Sequence, residues 1–230
     1  MKNRSNALNL ARRCIPFWLV AFLLLSCETD SYDKGEGAYS LMHADFADLN
    51  VDSQKRGVDF RTDDGEHYVL TKPQTASWIQ KGDTVYRATV YYNKVADEKA
   101  QLLSLVNMPT LQAHEPSYFK RQPQDPLGVE SCWLTKNGRY LNLGLLLKNG
   151  RNDSGDEGTH ALALVCDENH LNADLTHTIY YRLLHDQGSA PEYYTNRRYV
   201  CILLPTTERP DSVQLTVNTY DGVVVKKFKL

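Results

Sequence analysis

Arg139-Tyr140-Leu141-Asn142-Leu143-Gly144-Leu145-Leu146-Leu147-Lys148 puts leucine at every second position from 141 to 147. Successive side chains of a β-strand point to opposite faces, so Leu141, Leu143, Leu145 and Leu147 share one face. Short runs of the same kind surround this one. Trp133 lies in a strand that stops at the turn Lys136-Asn137-Gly138, and a polar loop from Asn149 to Thr159 leads to the run His160 to Cys166, the expected partner of the leucine strand. Thr176 to His185 and Arg197 to Leu204 follow, the latter stopped by Pro205. Ser212 to Tyr220 and Val223 to Leu230 form a hairpin closed by Asp221-Gly222, two residues that tolerate positive φ. About seven strands in residues 127–230 predict an antiparallel two-sheet sandwich.

Working towards the N-terminus, a proline-rich stretch interrupts the rhythm. Pro109, Pro116, Pro123 and Pro126 prevent a regular ladder, which makes residues 107–126 an extended linker between domains. Upstream, residues 39–106 hold a second set of strands. Tyr39 to Val51 opens it, and Gly57–Thr62 faces His67–Leu70 across the turn Asp63-Asp64-Gly65-Glu66. In Thr84-Val85-Tyr86-Arg87-Ala88-Thr89-Val90-Tyr91-Tyr92, one face carries Tyr86, Ala88, Val90 and Tyr92 and the other Arg87 and Thr89. Ala100–Val106 adds a fifth strand, and five strands in this span suit a small closed barrel with no exposed edge. The predicted class is all-β, a barrel followed by a sandwich.

The first 26 residues read differently. Lys2, Arg4, Arg12 and Arg13 precede the apolar run Ile15–Leu23, and Leu24-Leu25-Ser26-Cys27 ends it. A basic start, a short apolar core and a small residue before the cut describe a secretory signal, with a run too short to span a bilayer comfortably. The cysteine at the cut makes residues 1–26 a lipoprotein signal peptide and Cys27 the acylated N-terminus of the processed chain. Residues 27–38, with Glu28, Asp30, Asp33 and Glu36, lack apolar content and form an acidic tether.

The signal carries four of the 26 Lys and Arg and none of the 28 Asp and Glu, so the remaining 204 residues have a net charge of −6. That balance disfavours a phosphate backbone as partner and argues against nucleic-acid binding. Once Cys14 is removed and Cys27 acylated, Cys132, Cys166 and Cys201 remain. Three thiols cannot all pair within one chain, and each sits in a strand-like run, which favours small buried residues; one disulfide stays open.

The Leu-Ser-Cys signal with its acidic tether, Phe60…Asp63-Asp64-Gly65, Lys81-Gly82-Asp83-Thr84-Val85 and Val90-Tyr91-Tyr92-Asn93 resemble the NigD-like lipoproteins of Bacteroidetes. The resemblance continues through Asp125-Pro126-Leu127, Tyr140-Leu141-Asn142-Leu143 and Asp211-Ser212-Val213…Tyr220-Asp221-Gly222. It implies an OB-like N-terminal barrel, a C-terminal β-sandwich and a loose association with bacteriocin immunity, and it carries over no functional residue except the lipidated cysteine, where palmitate is the expected acyl chain.

Residues with catalytic or metal-binding chemistry form no recognisable pattern. The histidines His43, His67, His114, His160, His170, His177 and His185 lack ligand spacing, so no metal is expected. Asn152-Asp153-Ser154-Gly155-Asp156-Glu157-Gly158 has many oxygen donors but not the spacing of a calcium loop. Ser104, Ser131 and Ser189 have no nucleophile elbow around them. The expectation is a protein without enzymatic activity or cofactor, anchored by lipid in the outer membrane and exposed at the surface rather than facing the periplasm. Its partner is expected to be a protein or peptide; a glycan in a polysaccharide-uptake system is the alternative. The tyrosine doublets 91–92, 180–181 and 193–194 are each expected to bury one ring and expose the other, and Asp186–Glu192 is a candidate binding rim.

Overall fold

The computed structural model describes residues 41–155, 157–207 and 209–230. Fourteen strands account for nearly all of its regular structure: β1 (His43–Val51), β2 (Gly57–Thr62), β3 (His67–Gln74), β4 (Thr84–Ala96), β5 (Lys99–Asn107), β6 (Thr110–Leu111), β7 (Ala113–His114), β8 (Gly128–Leu134), β9 (Tyr140–Asn149), β10 (Ala161–Leu171), β11 (His177–Asp186), β12 (Tyr194–Leu203), β13 (Ser212–Thr219) and β14 (Gly222–Lys229). The fold class is all-β, as the alternation requires.

β1 to β5 close into a barrel in the order β1-β2-β3-β5-β4, with β3 and β5 parallel. This is the five-stranded OB-like arrangement. Its core includes Ala47, Leu49, Val51, Phe60, Tyr68, Leu70, Ala88, Val90, Tyr92 and Ala100, the inward set of the five strands. The rings of Phe60, Tyr68 and Tyr92 meet at 4.9–5.5 Å. Gly65, with φ +92°, supplies the left-handed residue that the turn between β2 and β3 requires.

The rest is a two-sheet sandwich. One sheet runs β6-β12-β9-β8 and the other β14-β13-β11-β10-β7. Leu141, Leu143, Leu145 and Leu147 are buried between them against Leu164, Ile179, Leu183, Val213 and Leu215. This corrects one expectation: β9 does not pair with β10. The two lie in different sheets and bury their leucines face to face, so the 150–160 loop crosses between layers. The final hairpin also differs. Tyr220 and Asp221 form its turn and Gly222, at φ +108°, pairs with Thr219, so only the glycine needs positive φ.

Residues 107–126 run between barrel and sandwich in an extended course and also complete the sandwich. Thr110-Leu111 pairs with Cys201-Ile202 in one sheet, and Ala113-His114 pairs with Leu164-Val165 in the other. Further on, the Asp125 N–H donates to the His185 carbonyl at 2.9 Å.

Barrel and sandwich share a seam. β9 is buried along almost its whole length because one face meets the opposite sheet and the other meets the barrel. Arg87, on the polar face of β4, points into this seam and not to solvent. It donates to Asp63 at 2.6 Å and to Asn142 Oδ1 at 3.2 Å, and its guanidinium lies 4.3 Å from the centre of the Tyr140 ring. Asn142 Nδ2 donates to Asp63 at 2.8 Å, and Arg139 donates to Asp48 at 2.8 Å. Beside them Phe46 stacks on Trp133 at 5.7 Å and meets the edge of Tyr199 at 5.1 Å.

Candidate functional site

A cavity of about 700 Å³ opens between barrel and sandwich, within the size range of ligand sites. Its barrel wall holds Thr89 and Tyr91 of β4 and Asn107 of β5. The sandwich wall is the run Asn196–Val200 of β12, with Leu147, Leu162 and the segment Glu157–His160.

β12 carries the decisive geometry. It pairs with β9 from Tyr194 to Leu203, but with β6 only at Cys201 and Ile202. Backbone groups of successive strand residues point to opposite sides. The Cys201 N–H donates to the Pro109 carbonyl at 2.9 Å, on the β6 side, and the Leu204 N–H donates to the Arg139 carbonyl at 2.9 Å, on the β9 side. Odd-numbered residues of β12 therefore face the open edge, where Thr195, Arg197 and Tyr199 have no neighbouring strand among the described residues. Side chains alternate in the same way: Asn196, Arg198 and Val200 share the face of Leu147, Leu145 and Leu143, while Arg197 and Tyr199 take the barrel side. Residues from both faces line the cavity, so the cavity wraps the strand edge itself.

The charge in the cavity is positive. Arg197 is paired with Glu130, and Glu157 with Arg151 at 3.0 Å. Arg198 is exposed and makes no ion pair or side-chain hydrogen bond among the described residues. His160 adds a polar acceptor. Its Nδ1 lies 2.9 Å from His185 Nε2, the rings are parallel to within 9°, and His185 Nδ1 is 3.0 Å from the Asp125 carbonyl. A carbonyl only accepts, so His185 carries a proton on Nδ1, and in the tautomer with that proton alone its Nε2 accepts a hydrogen bond from His160 Nδ1–H. Neutral His160 is left with a buried lone pair on Nε2 that has no hydrogen-bond partner. Burial, then the charges of His185 and Arg198, hold His160 below the usual histidine range, while the Lys148 backbone pulls the other way.

The structure separates the other candidates. Cys27 lies outside the described residues, as does Asp156 of the 152–158 loop. In that loop Asn152 Oδ1 accepts from the Ser154 N–H at 3.0 Å, which makes an ordinary turn. Among the described residues no three His, Cys, Asp or Glu side chains converge as metal ligands. Ser104, Ser131 and Ser189 make no hydrogen bond to any histidine there. Cys132, Cys166 and Cys201 are free thiols. Burial pushes Cys132 up to about 12, Lys226 opposing, which leaves a poor nucleophile.

Two tyrosine doublets divide as expected: Tyr92 and Tyr181 are buried, and Tyr91 and Tyr180 are partly open. The third does not. Tyr193 lies just outside β12, so strand alternation does not govern it, and both Tyr193 and Tyr194 are exposed. The rim Asp186–Glu192 is pinned rather than open. Gln187 donates to Glu192 at 3.1 Å, Lys148 donates to the same carboxylate at 2.6 Å, and Ala190 is buried against Gly158.

No protein-family model matches the chain, and no curated protein matches it. Solved structures do. A NigD-like immunity protein from Bacteroides caccae superimposes with a TM-score of 0.58 at 20% identity, over 81% of this chain and 96% of that one. The chain carries the NigD-like fold. A toxin-related protein from Parabacteroides distasonis gives 0.61 at 16% identity, over 82% of this chain and 93% of the other. A Bacteroides fragilis protein assigned as a lipoprotein gives 0.55 at 12% identity, over 82% and 96%. The NigD-like resemblance read from the sequence and this structural likeness agree. Sequence reasoning missed the His160–His185 contact and the open edge of β12. The only signal was the dyad Arg197-Arg198, and nothing in it marks an unpaired edge.

Proposed function

We propose that this chain is a lipid-anchored envelope protein without catalytic activity that holds a protein or peptide partner in the cavity between barrel and sandwich. The observation that carries the reading is the cavity's composition: a bare strand edge, two arginines and apolar side chains, with one carboxylate already paired. A hydrolytic or group-transfer site would need convergent acid, base and nucleophile, whereas in these walls Glu157 is tied to Arg151 and His160 turns its Nδ1 to His185. A groove with an open edge and a surplus of positive charge suits backbone pairing with an extended chain.

Anchorage follows from Leu24-Leu25-Ser26-Cys27 and the acidic tether, and agrees with the lipoprotein assignment of a protein of the same fold. Lipid at Cys27 would confine the chain to a surface, which raises the effective concentration of a weak binder. The name of the Bacteroides caccae protein suggests immunity, and capture of an antibacterial peptide would be one form of it. The glycan alternative finds less support. The most exposed tyrosines do not make a shared platform: Tyr118 stacks on His114 at 4.0 Å, and Tyr193 packs beside Pro191.

Protease treatment of intact cells, with a Cys27→Ala strain as the unanchored control, tests the location. Digestion on intact cells with release of the variant from membranes is expected. Protection until lysis would move the site to the periplasm, and a variant that still sediments with unchanged acylation would refute the anchor.

A further inference from the structure

We infer that the cavity selects an extended acidic peptide segment, which adds a strand to the edge of β12 and sets a carboxylate against Arg198. This rests on the reading that the chain binds a protein or peptide partner, and it specifies the chemistry of that partner.

Arg197 and Tyr199 turn their N–H and C=O groups to the cavity and Thr195 turns its own to the same edge beyond it, and folded proteins normally cover or blunt such an edge. The chain already shows what fits there. Thr110-Leu111 lies parallel to Cys201-Ile202 on this same edge, so a bound segment prolongs an existing pairing by a few residues. Asn196 to Val200 offers roughly 17 Å of strand at about 3.4 Å per residue, enough for a peptide of about five residues.

Among the described residues the cavity has one acidic side chain, Glu157, which is tied to Arg151, and Arg197 is tied to Glu130. Among the described residues Arg198 has no counter-ion, and it lies on the face of β12 that looks between the sheets. A guanidinium gains most from a carboxylate, which it can hold in two parallel hydrogen bonds. On the same face Leu147, Leu162 and Val200 receive apolar side chains. The inner side of the bound strand would therefore combine an acidic residue with an apolar one.

The test is selection of a displayed library of random dodecapeptides against the full chain, followed by affinity measurements on the enriched peptides. Arg197→Pro deletes one edge N–H while the β9 ladder, which uses Asn196 and Arg198, keeps its donors. The enriched peptides should be acidic, should lose about tenfold or more in affinity for Arg197→Pro and for Arg198→Glu, and should regain affinity for Arg198→Glu when their acidic residues become lysine. If Arg197→Pro fails to fold, methylating alternate backbone amides of the peptide replaces it and should cause the same loss. Peptides that bind all variants undiminished would overturn the edge proposal but leave a protein-binding role standing. Enrichment of nothing above the uncoated support would sink both.

Discussion

Arg87 and Arg198 both stand where the barrel meets the sandwich, and they are opposites. Arg87 is buried and held by Asp63, Asp48, Asn142 and the face of Tyr140, with only its Nε left without a hydrogen-bond partner. Arg198 is exposed and engaged by nothing described. A guanidinium with buried partners fixes how two layers pack, whereas one at the rim of a cavity is available to a partner. The same contrast runs along the strands: β9 is paired on both sides and covered on both faces, while β12 leaves half of one edge bare.

The largest effect expected is from Arg87→Ala. Removing the cation leaves the Asp63 carboxylate without its counter-ion and Asn142 Oδ1 without its donor in the seam, and loss of one member of such a pair costs about 3 kcal/mol. A urea midpoint shift of that size is the check; a change below about 0.5 kcal/mol would make the Arg87 cluster ornamental. Phe46→Ala comes next at roughly 2 kcal/mol, through lost contact with Trp133 and Tyr199.

The effect of pH should be smaller, and its sign is fixed by the lowered His160. The unfolded chain takes up this proton first as pH falls from the ordinary value of 6.5, so folding stability is highest above that value and declines towards the depressed native one. Chemical denaturation at pH 7.5 and 5.5 should show the decline, and His160→Gln should flatten it; carboxylates elsewhere add their own loss only at lower pH. The smallest effect should be that of Arg198→Ala, within about 0.5 kcal/mol of the parent in stability. A larger loss would mean that Arg198 has a structural partner and would erase the contrast with Arg87.

Much of the architecture was legible because burial imprints period two on a strand. Leu141 to Leu147, Ala88 to Tyr92 and the Gly65 and Gly222 turns announced both layers and their boundaries. The pairing of β9 was misjudged because alternation says which face is buried and not which strand lies beside it. The outward face of β4 gave no hint that Arg87 would meet a second layer, since a polar residue in a strand normally implies solvent. The candidate site was almost invisible for the same reason. His160 and His185 meet only through the register that sets Leu162 opposite His185. A bare edge is a property of neighbours, and no residue of β12 encodes it.

Residue-resolved amide hydrogen exchange of the free protein tests the open edge most directly. Thr195, Arg197 and Tyr199 should exchange fast, alternating with protected Asn196, Arg198 and Val200 that donate to β9, and an acidic peptide selected against the protein should slow the fast set. Uniform protection along β12 would mean that its edge is already covered, and the proposed site would be lost.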